Sequence, residues 1–255
     1  MRIDLNADVG ESFGAYTIGA DAELIPTITS ANVACGFHAG DAAVMRRTVR
    51  LARDAGVSVG AHPGFQDLAG FGRREMRVTS QEAEDLVLYQ IGALAGIARS
   101  EGVSLRHVKP HGALYNMAVR DAALAEAIAR AIRAFDPALI LFALPGSELL
   151  RAGEQCGLVV AAEGFADRSY EADGSLTPRS KQGAVIQDTA SVVARAVRMA
   201  TEGTVIASDG SEIPMRVQTI CTHGDTPGAQ ELTRAIHAGV ERVGVAVTPV
   251  AGAPR

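Results

Sequence analysis

The chain has no tryptophan, only 4% of it is aromatic, and its three cysteines, Cys35, Cys156 and Cys221, fall at no metal-type or disulfide-type spacing. So few aromatics weigh against a sugar-stacking groove, and cysteines without a framework point to a reducing compartment. No apolar run approaches the roughly 20 residues of a membrane span. The start, Met1 to Asp8, alternates like a strand and lacks the apolar core of a signal peptide. The formal charge of -5 comes from interspersed acids and bases, with no basic stripe for a nucleic acid. No Gly-x-Gly-x-x-Gly follows the first strand-like run and no P-loop occurs, so this chain carries no visible motif for ATP or a dinucleotide. What remains is the expectation of a soluble, cytoplasmic protein with a small-molecule substrate.

Aliphatic residues and glycine are what the chain has in plenty: 47% of it is hydrophobic, enough for a sizeable core in 255 residues. Ile3, Leu5, Ala7 and Val9 alternate with Asp4, Asn6 and Asp8, the period of two that marks a strand. Further strand patterns lie at Ile28 to Ala34, Val57 to Ala61, Leu105 to Lys109, Leu139 to Leu144, Leu158 to Ala162 and Arg216 to Thr222. A hairpin between Thr204 and Met215 turns at Asp209-Gly210. Helical stripes alternate with the strands. Asp41 caps one carrying Val44, Thr48, Leu51 and Ala55, and Thr79 with Glu82 makes a capping box before Ala83, Val87, Ile91 and Leu94. Asp121 caps another, and Thr226-Pro227 opens a last helix with Leu232, Ile236, Val240 and Val243 as its stripe. Phe65 to Arg77 reads as a functional loop, and Ser169 to Asp188 as a lid or binding loop. The alternation predicts an α/β fold with a parallel sheet in one domain, residues 1–255. Its architecture is read as an irregular seven-stranded (β/α) barrel, TIM-barrel-like, with a doubly wound open sheet as the alternative.

With the apolar face of the first strand turned out to the helices, parity turns Asn6 and Asp8 inward. The same parity brings in Asn32, His62, His107 and Lys109, with Glu163 just past the sixth strand and His223 ending the seventh. Nearly all lie at C-terminal strand ends, where barrel enzymes assemble their sites. Asn32 to Asp41, Asn-Val-Ala-Cys-Gly-Phe-His-Ala-Gly-Asp, forms one wall of that shared pocket. Blander readings stand beside these. Asp41 serves as a helix cap, His107 as a hydrogen-bonded core histidine and His237 as a surface residue on the last helix. Cys35 reads as a buried thiol and not a nucleophile. Lys109 needs a carboxylate partner, Asp8 or Glu163.

The motifs Leu5 to Glu11, Asn32 to Asp41, Gly60-Ala61-His62-Pro63, Val108 to Tyr115, Glu163 to Arg168 with Tyr170 and Asp173 to Leu176, and Thr222 to Asp225 resemble the LamB/YcsF family over essentially the whole chain. The resemblance implies an irregular barrel related to glycoside hydrolases and polysaccharide deacetylases. It also implies ATP-dependent cleavage of 5-oxo-L-proline to L-glutamate, shared with companion 5-oxoprolinase subunits B and C that activate the lactam by phosphorylation. On that footing Asp8 or His38 is the expected general base, with His62 and His111 as proton donors or orienting groups. Lys109 and Arg168 would hold the substrate carboxylate or phosphate, and Asn6, Asn32, Glu163 and His223 complete the binding set. Two other readings are metal-dependent hydrolysis or deacetylation through Asp8, His38, His62 and His223, and a non-catalytic role in assembly. A hydrogen-bonded cluster without metal is expected over the metal set.

Overall fold

The structure, a computed structural model, describes residues 1–223 and 228–250, the side chain of His223 excepted. Its strands in chain order are β1 (Arg2–Val9), β2 (Ser30–Ala34), β3 (Ser58–His62), β4 (His107–Val108), β5 (Ile140–Ala143), β6 (Val159–Phe165), β7 (Thr204–Ile206), β8 (Glu212–Pro214), β9 (Thr219–His223) and β10 (Ala246–Val247). Strands β1 to β6 and β9 are all parallel, and β1 closes the sheet by pairing with β2 on one edge and β9 on the other. That closure makes the fold a seven-stranded α/β barrel and disposes of the open sheet. The β7–β8 pair is the antiparallel hairpin read from the sequence.

The helices are α1 (Asp21–Leu24), α2 (Ala42–Asp54), α3 (Ser80–Ser100), α4 (Gly112–Ala118), α5 (Ala122–Phe135), α6 (Glu148–Gln155), α7 (Thr189–Thr201) and α8 (Ala229–Arg242). Local chemistry starts most of them as expected. Asp41 accepts from the amides of Ala43 and Val44 at the head of α2, and Thr79 and Glu82 satisfy each other's backbone at the head of α3. Ile3, Leu5, Ala7 and Val9 are buried against the helices, so the parity of β1 holds. Among the described residues no helix is long and apolar enough to cross a membrane.

Several details depart from the sequence pattern. Strand β6 runs on to Phe165, which puts Glu163 inside a strand and not past its end. Helix α4 and the short turn of α1 are too brief to leave a stripe. Val243 is 48% exposed, because α8 ends at Arg242 and its buried face is Thr233, Ile236, Gly239 and Val240. Thr226 and Pro227 lie outside the described residues. Strand β10 has no counterpart in the sequence pattern, since two residues carry no readable period. Ala246 and Thr248 tie it to β1 by donating to the carbonyls of Met1 and Ile3. Val250 beyond it packs on Ile140, Phe142 and Ala161 inside the N-terminal end of the barrel.

Candidate active site

The polar groups on the inward face of the barrel stack into layers, with an apolar cluster of Ile140, Phe142, Ala161 and Val250 beside them. At the N-terminal end lies Asp4, 1% exposed. Its carboxylate accepts from Thr29 Oγ1 (2.6 Å), Ser30 Oγ (2.7 Å) and Thr219 Oγ1. Burial raises its pKa and these hydroxyls pull it back.

The next layer is a chain of amides. Asn6 Nδ2 donates to Thr219 Oγ1 (2.7 Å) and Glu163 Oε1 (3.0 Å). Asn32 Nδ2 donates to Asn6 Oδ1 (2.7 Å) and Asp8 Oδ1 (2.9 Å), and Asn32 Oδ1 lies 2.7 Å from His107 Nε2. The His107 ring stacks on Phe142 at 4.3 Å, and burial and then Lys109 hold its pKa down to about 3. His107 is thus a neutral core histidine that orients Asn32. Gly60 is required beneath it, since a Cβ there would come within 2.2 Å of the ring.

Charge collects at the C-terminal end. Lys109 Nζ donates to Asp8 Oδ1 at 2.5 Å and stands 3.3 Å from Cys221 Sγ and 3.8 Å from Glu163 Oε1. Burial opposes the ammonium, but the Asp8 carboxylate, with Glu163 behind it, outweighs that cost and keeps Lys109 charged, while burial holds Cys221 as a neutral thiol. Burial pushes the Glu163 carboxyl up to about 7 against the pull of Lys109, and the Tyr115 hydroxyl faces it. His62 Nε2 lies 3.3 Å from Asp8 Oδ2 and 2.9 Å from His111 Nδ1. His38 stacks on His111 with ring centroids 3.8 Å apart, and its Nε2 is 3.5 Å from Glu11 Oε1. Burial lowers the pKa of all three histidines, so each is held neutral.

A cavity of about 370 Å³ opens over this layer. Asp8, Lys109 and His111 line its inner end, Phe165 and Leu144 its apolar side, and Arg73, Arg120, Arg168 and Arg179 its cationic side. Asp8 reaches it and His38 does not, which separates the two candidate bases by access. Arg168 is 5% exposed and donates to the carbonyls of Ala184 (3.1 Å) and Thr177 (2.7 Å). It therefore anchors the loop 169–188 as well as walling the cavity, and burial brings its pKa down to about 10. Cys35 is 2% exposed and burial pushes its thiol up to about 12, the state of an inert core sulfur.

The structure thus brings Asn6, Asp8, Asn32, His38, His62, Lys109, His111 and Glu163 into one connected interior. His223 pairs by its backbone with Asp8 at the rim, while its side chain lies outside the described residues. Among the described residues, the donor atoms that converge within 4.8 Å of one another belong to Glu11, His38, His62 and His111. His38 and His62 are shared with the metal set read from the sequence, and Asp8 Oδ2 lies 3.3 Å from His62 Nε2. Sequence parity does not find Glu11, because it lies two residues past the end of β1, where period two no longer applies. Gly10, at φ +70°, turns the chain there and brings the carboxylate back over the barrel. Tyr115 escapes for a related reason, since its helix α4 follows β4 without a stripe of its own.

Residues 3–255 match the model of the LamB/YcsF family. The chain is 56% identical to a protein of Symbiobacterium thermophilum named as the A subunit of 5-oxoprolinase, over 99% of this chain and 95% of that one. It is 51% identical to the protein of the same name from Bacillus subtilis, over 98% and 97%. The crystal structure of a lactam utilization protein from Thermus thermophilus superposes with a TM-score of 0.92 at 50% identity, covering 97% of this chain and 99% of that one.

Proposed function

The chain belongs to the LamB/YcsF family, and from that premise we propose that it acts as the A subunit of a 5-oxoprolinase, a hydrolase that opens the cyclic amide of 5-oxo-L-proline to give L-glutamate. The names borne by relatives more than half identical over nearly their whole length support the activity. Such a protein works in a complex, and we assign its companions as subunits B and C in the cytoplasm.

A five-membered lactam is a poor electrophile, so the chemistry needs activation. In this reading the companions use ATP to phosphorylate the lactam oxygen, which accords with the lack of a phosphate-binding motif here. Water then adds to the activated carbonyl carbon. The C–N bond breaks as the ring nitrogen takes a proton, and a second water releases phosphate from the resulting acyl phosphate.

The observation that carries the proposal is the pairing of Asp8 with Lys109 at the inner end of a small cavity walled by arginines. Asp8 is the base toward water. Lys109, kept charged by its carboxylate neighbours, stabilises the oxygen on which negative charge develops. Arg73, Arg120 and Arg179 offer guanidinium groups to the substrate carboxylate and the phosphoryl group, and Arg168, held by the carbonyls of Ala184 and Thr177, adds its positive charge to that wall. His62 and His111 orient the layer, since each has a ring nitrogen directed at a backbone carbonyl.

The test is glutamate formation from 5-oxoproline and ATP by this chain alone, by the companions alone and by the mixture. Activity only in the mixture is expected. Full activity from either part alone would overturn the division of labour.

A further inference from the structure

Hydrogen positions in the histidine cluster follow from the groups around it. His62 Nδ1 lies 2.6 Å from the carbonyl oxygen of Lys109, and His111 Nε2 lies 2.8 Å from that of Phe71. A carbonyl can only accept, so both nitrogens carry the ring proton. With those protons committed to the carbonyls, His62 Nε2 and His111 Nδ1 face each other at 2.9 Å, and Asp8 Oδ2 adds another acceptor 3.3 Å from His62 Nε2. Glu11 Oε1 stands 3.8 Å from His111 Nδ1 and 3.5 Å from His38 Nε2. His38 is fully buried, and neither of its ring nitrogens has a hydrogen-bond partner among the described residues.

Donors with no acceptor and acceptors with no donor are both costly when buried, and here acceptor nitrogens gather, with a Glu11 oxygen, within 4.8 Å of one another. A cation resolves it. Carbonyls that fix the proton on the far nitrogen are also what orients a metal-binding histidine. We propose that Glu11, His38, His62 and His111 form a site for one divalent ion of the zinc class, bound by three imidazole nitrogens and one carboxylate oxygen. Three nitrogens and one oxygen suit zinc or cobalt better than calcium or magnesium.

Zinc–nitrogen bonds of ~2.0–2.1 Å in a tetrahedron place two nitrogens roughly 3.3 Å apart, so the His62–His111 pair has only a few tenths of an ångström to open. His38 has further to move. Its ring lies within 4° of parallel to His111, so its lone pair runs beside that of His111, and the ring tilts out of the stack to complete the shell. His111 also lines the cavity, so the ion would border it beside Asp8. A single shared proton between His62 and His111 is the competing account, and it leaves His38 unexplained.

The site stands on ligand geometry, and its test does not involve 5-oxoproline, so failure of either proposal leaves the other intact. The full chain, stripped with chelator, is titrated with cobalt(II) and separately with zinc(II), following cobalt absorption and calorimetric stoichiometry. One equivalent per chain with a tetrahedral cobalt spectrum is expected. His62→Gln and His111→Gln, shown by circular dichroism to be folded, should each bind at least ~100-fold more weakly. In the wild type, zinc should move the histidine ¹⁵N resonances of His38, His62 and His111 together. Substoichiometric binding, undiminished binding in both variants, or unmoved histidine resonances would overturn the proposal.

Discussion

Both ends of the barrel interior bury polar side chains, yet they are built differently. At the N-terminal end every oxygen of Asp4 meets a hydroxyl, and Asn6, Asn32 and His107 pass hydrogen bonds along a chain that ends against a stacked Phe142. At the C-terminal end Asp8, Glu11, Lys109, Glu163 and three histidines crowd together, with ionisable groups in place of neutral amides. Inward-facing polarity is therefore not itself the mark of a site. A layer linked mainly by neutral hydrogen bonds fixes geometry, even though His107 Nδ1 has no partner among the described residues, and one crowded with ionisable groups leaves capacity for a proton, an ion or a substrate.

That contrast can be broken most directly at Asp8. Asp8→Asn keeps the shape but removes the base, and turnover in the reconstituted complex should fall roughly 10²- to 10⁴-fold, with phosphorylation by the companions intact. Glutamate release at the wild-type rate would remove Asp8 from the chemistry. Asp4→Ala should do the reverse. It strands the hydroxyls of Thr29, Ser30 and Thr219 at a cost of roughly 1–3 kcal/mol, read as a lower urea midpoint, while kcat of the folded protein stays within about twofold.

Glu163 sits between the two layers, and its titration sharpens the comparison. Its folded pKa of about 7 lies above the ordinary 4.5, so the folded state binds its proton more tightly than the unfolded chain does. Its contribution to stability is complete below about 4.5 and is lost as pH rises through about 7. Melting temperature against pH should accordingly fall less steeply across that window in Glu163→Gln than in the wild type; parallel curves would refute the raised pKa. The smallest effect is expected at Cys35. Cys35→Ala removes a buried thiol that donates to the carbonyl of Val33, and turnover should change less than about twofold in the same assay.

Most of this interior is legible because strands obey a period of two. Once Ile3, Leu5, Ala7 and Val9 are placed outward, Asn6 and Asp8 must face in, and the same rule carries Asn32, His62, His107 and Lys109. Asp4 obeys that parity as well and stands out only when depth along the barrel is known. The rule fails wherever the backbone leaves the strand. Glu11 is delivered by the turn at Gly10, Tyr115 by a short helix, and the anchoring of loop 169–188 by Arg168 rests on carbonyls, which every residue carries. Tautomers are still less legible, since they depend on where the carbonyls of Lys109 and Phe71 end up.

The pairing of β1 carries a consequence for how the molecule is made. One edge of β1 meets β2, whose Ser30 lies opposite Asn6 and follows it closely in the sequence. Its other edge waits for β9, where Asp4 meets Thr219, more than two hundred residues later. Until then the nascent chain holds an open row of strand hydrogen-bonding groups, the feature that invites pairing with other chains. Synthesis of this protein thus has a vulnerable interval that spans most of the barrel, and it ends only when the last barrel strand closes the ring.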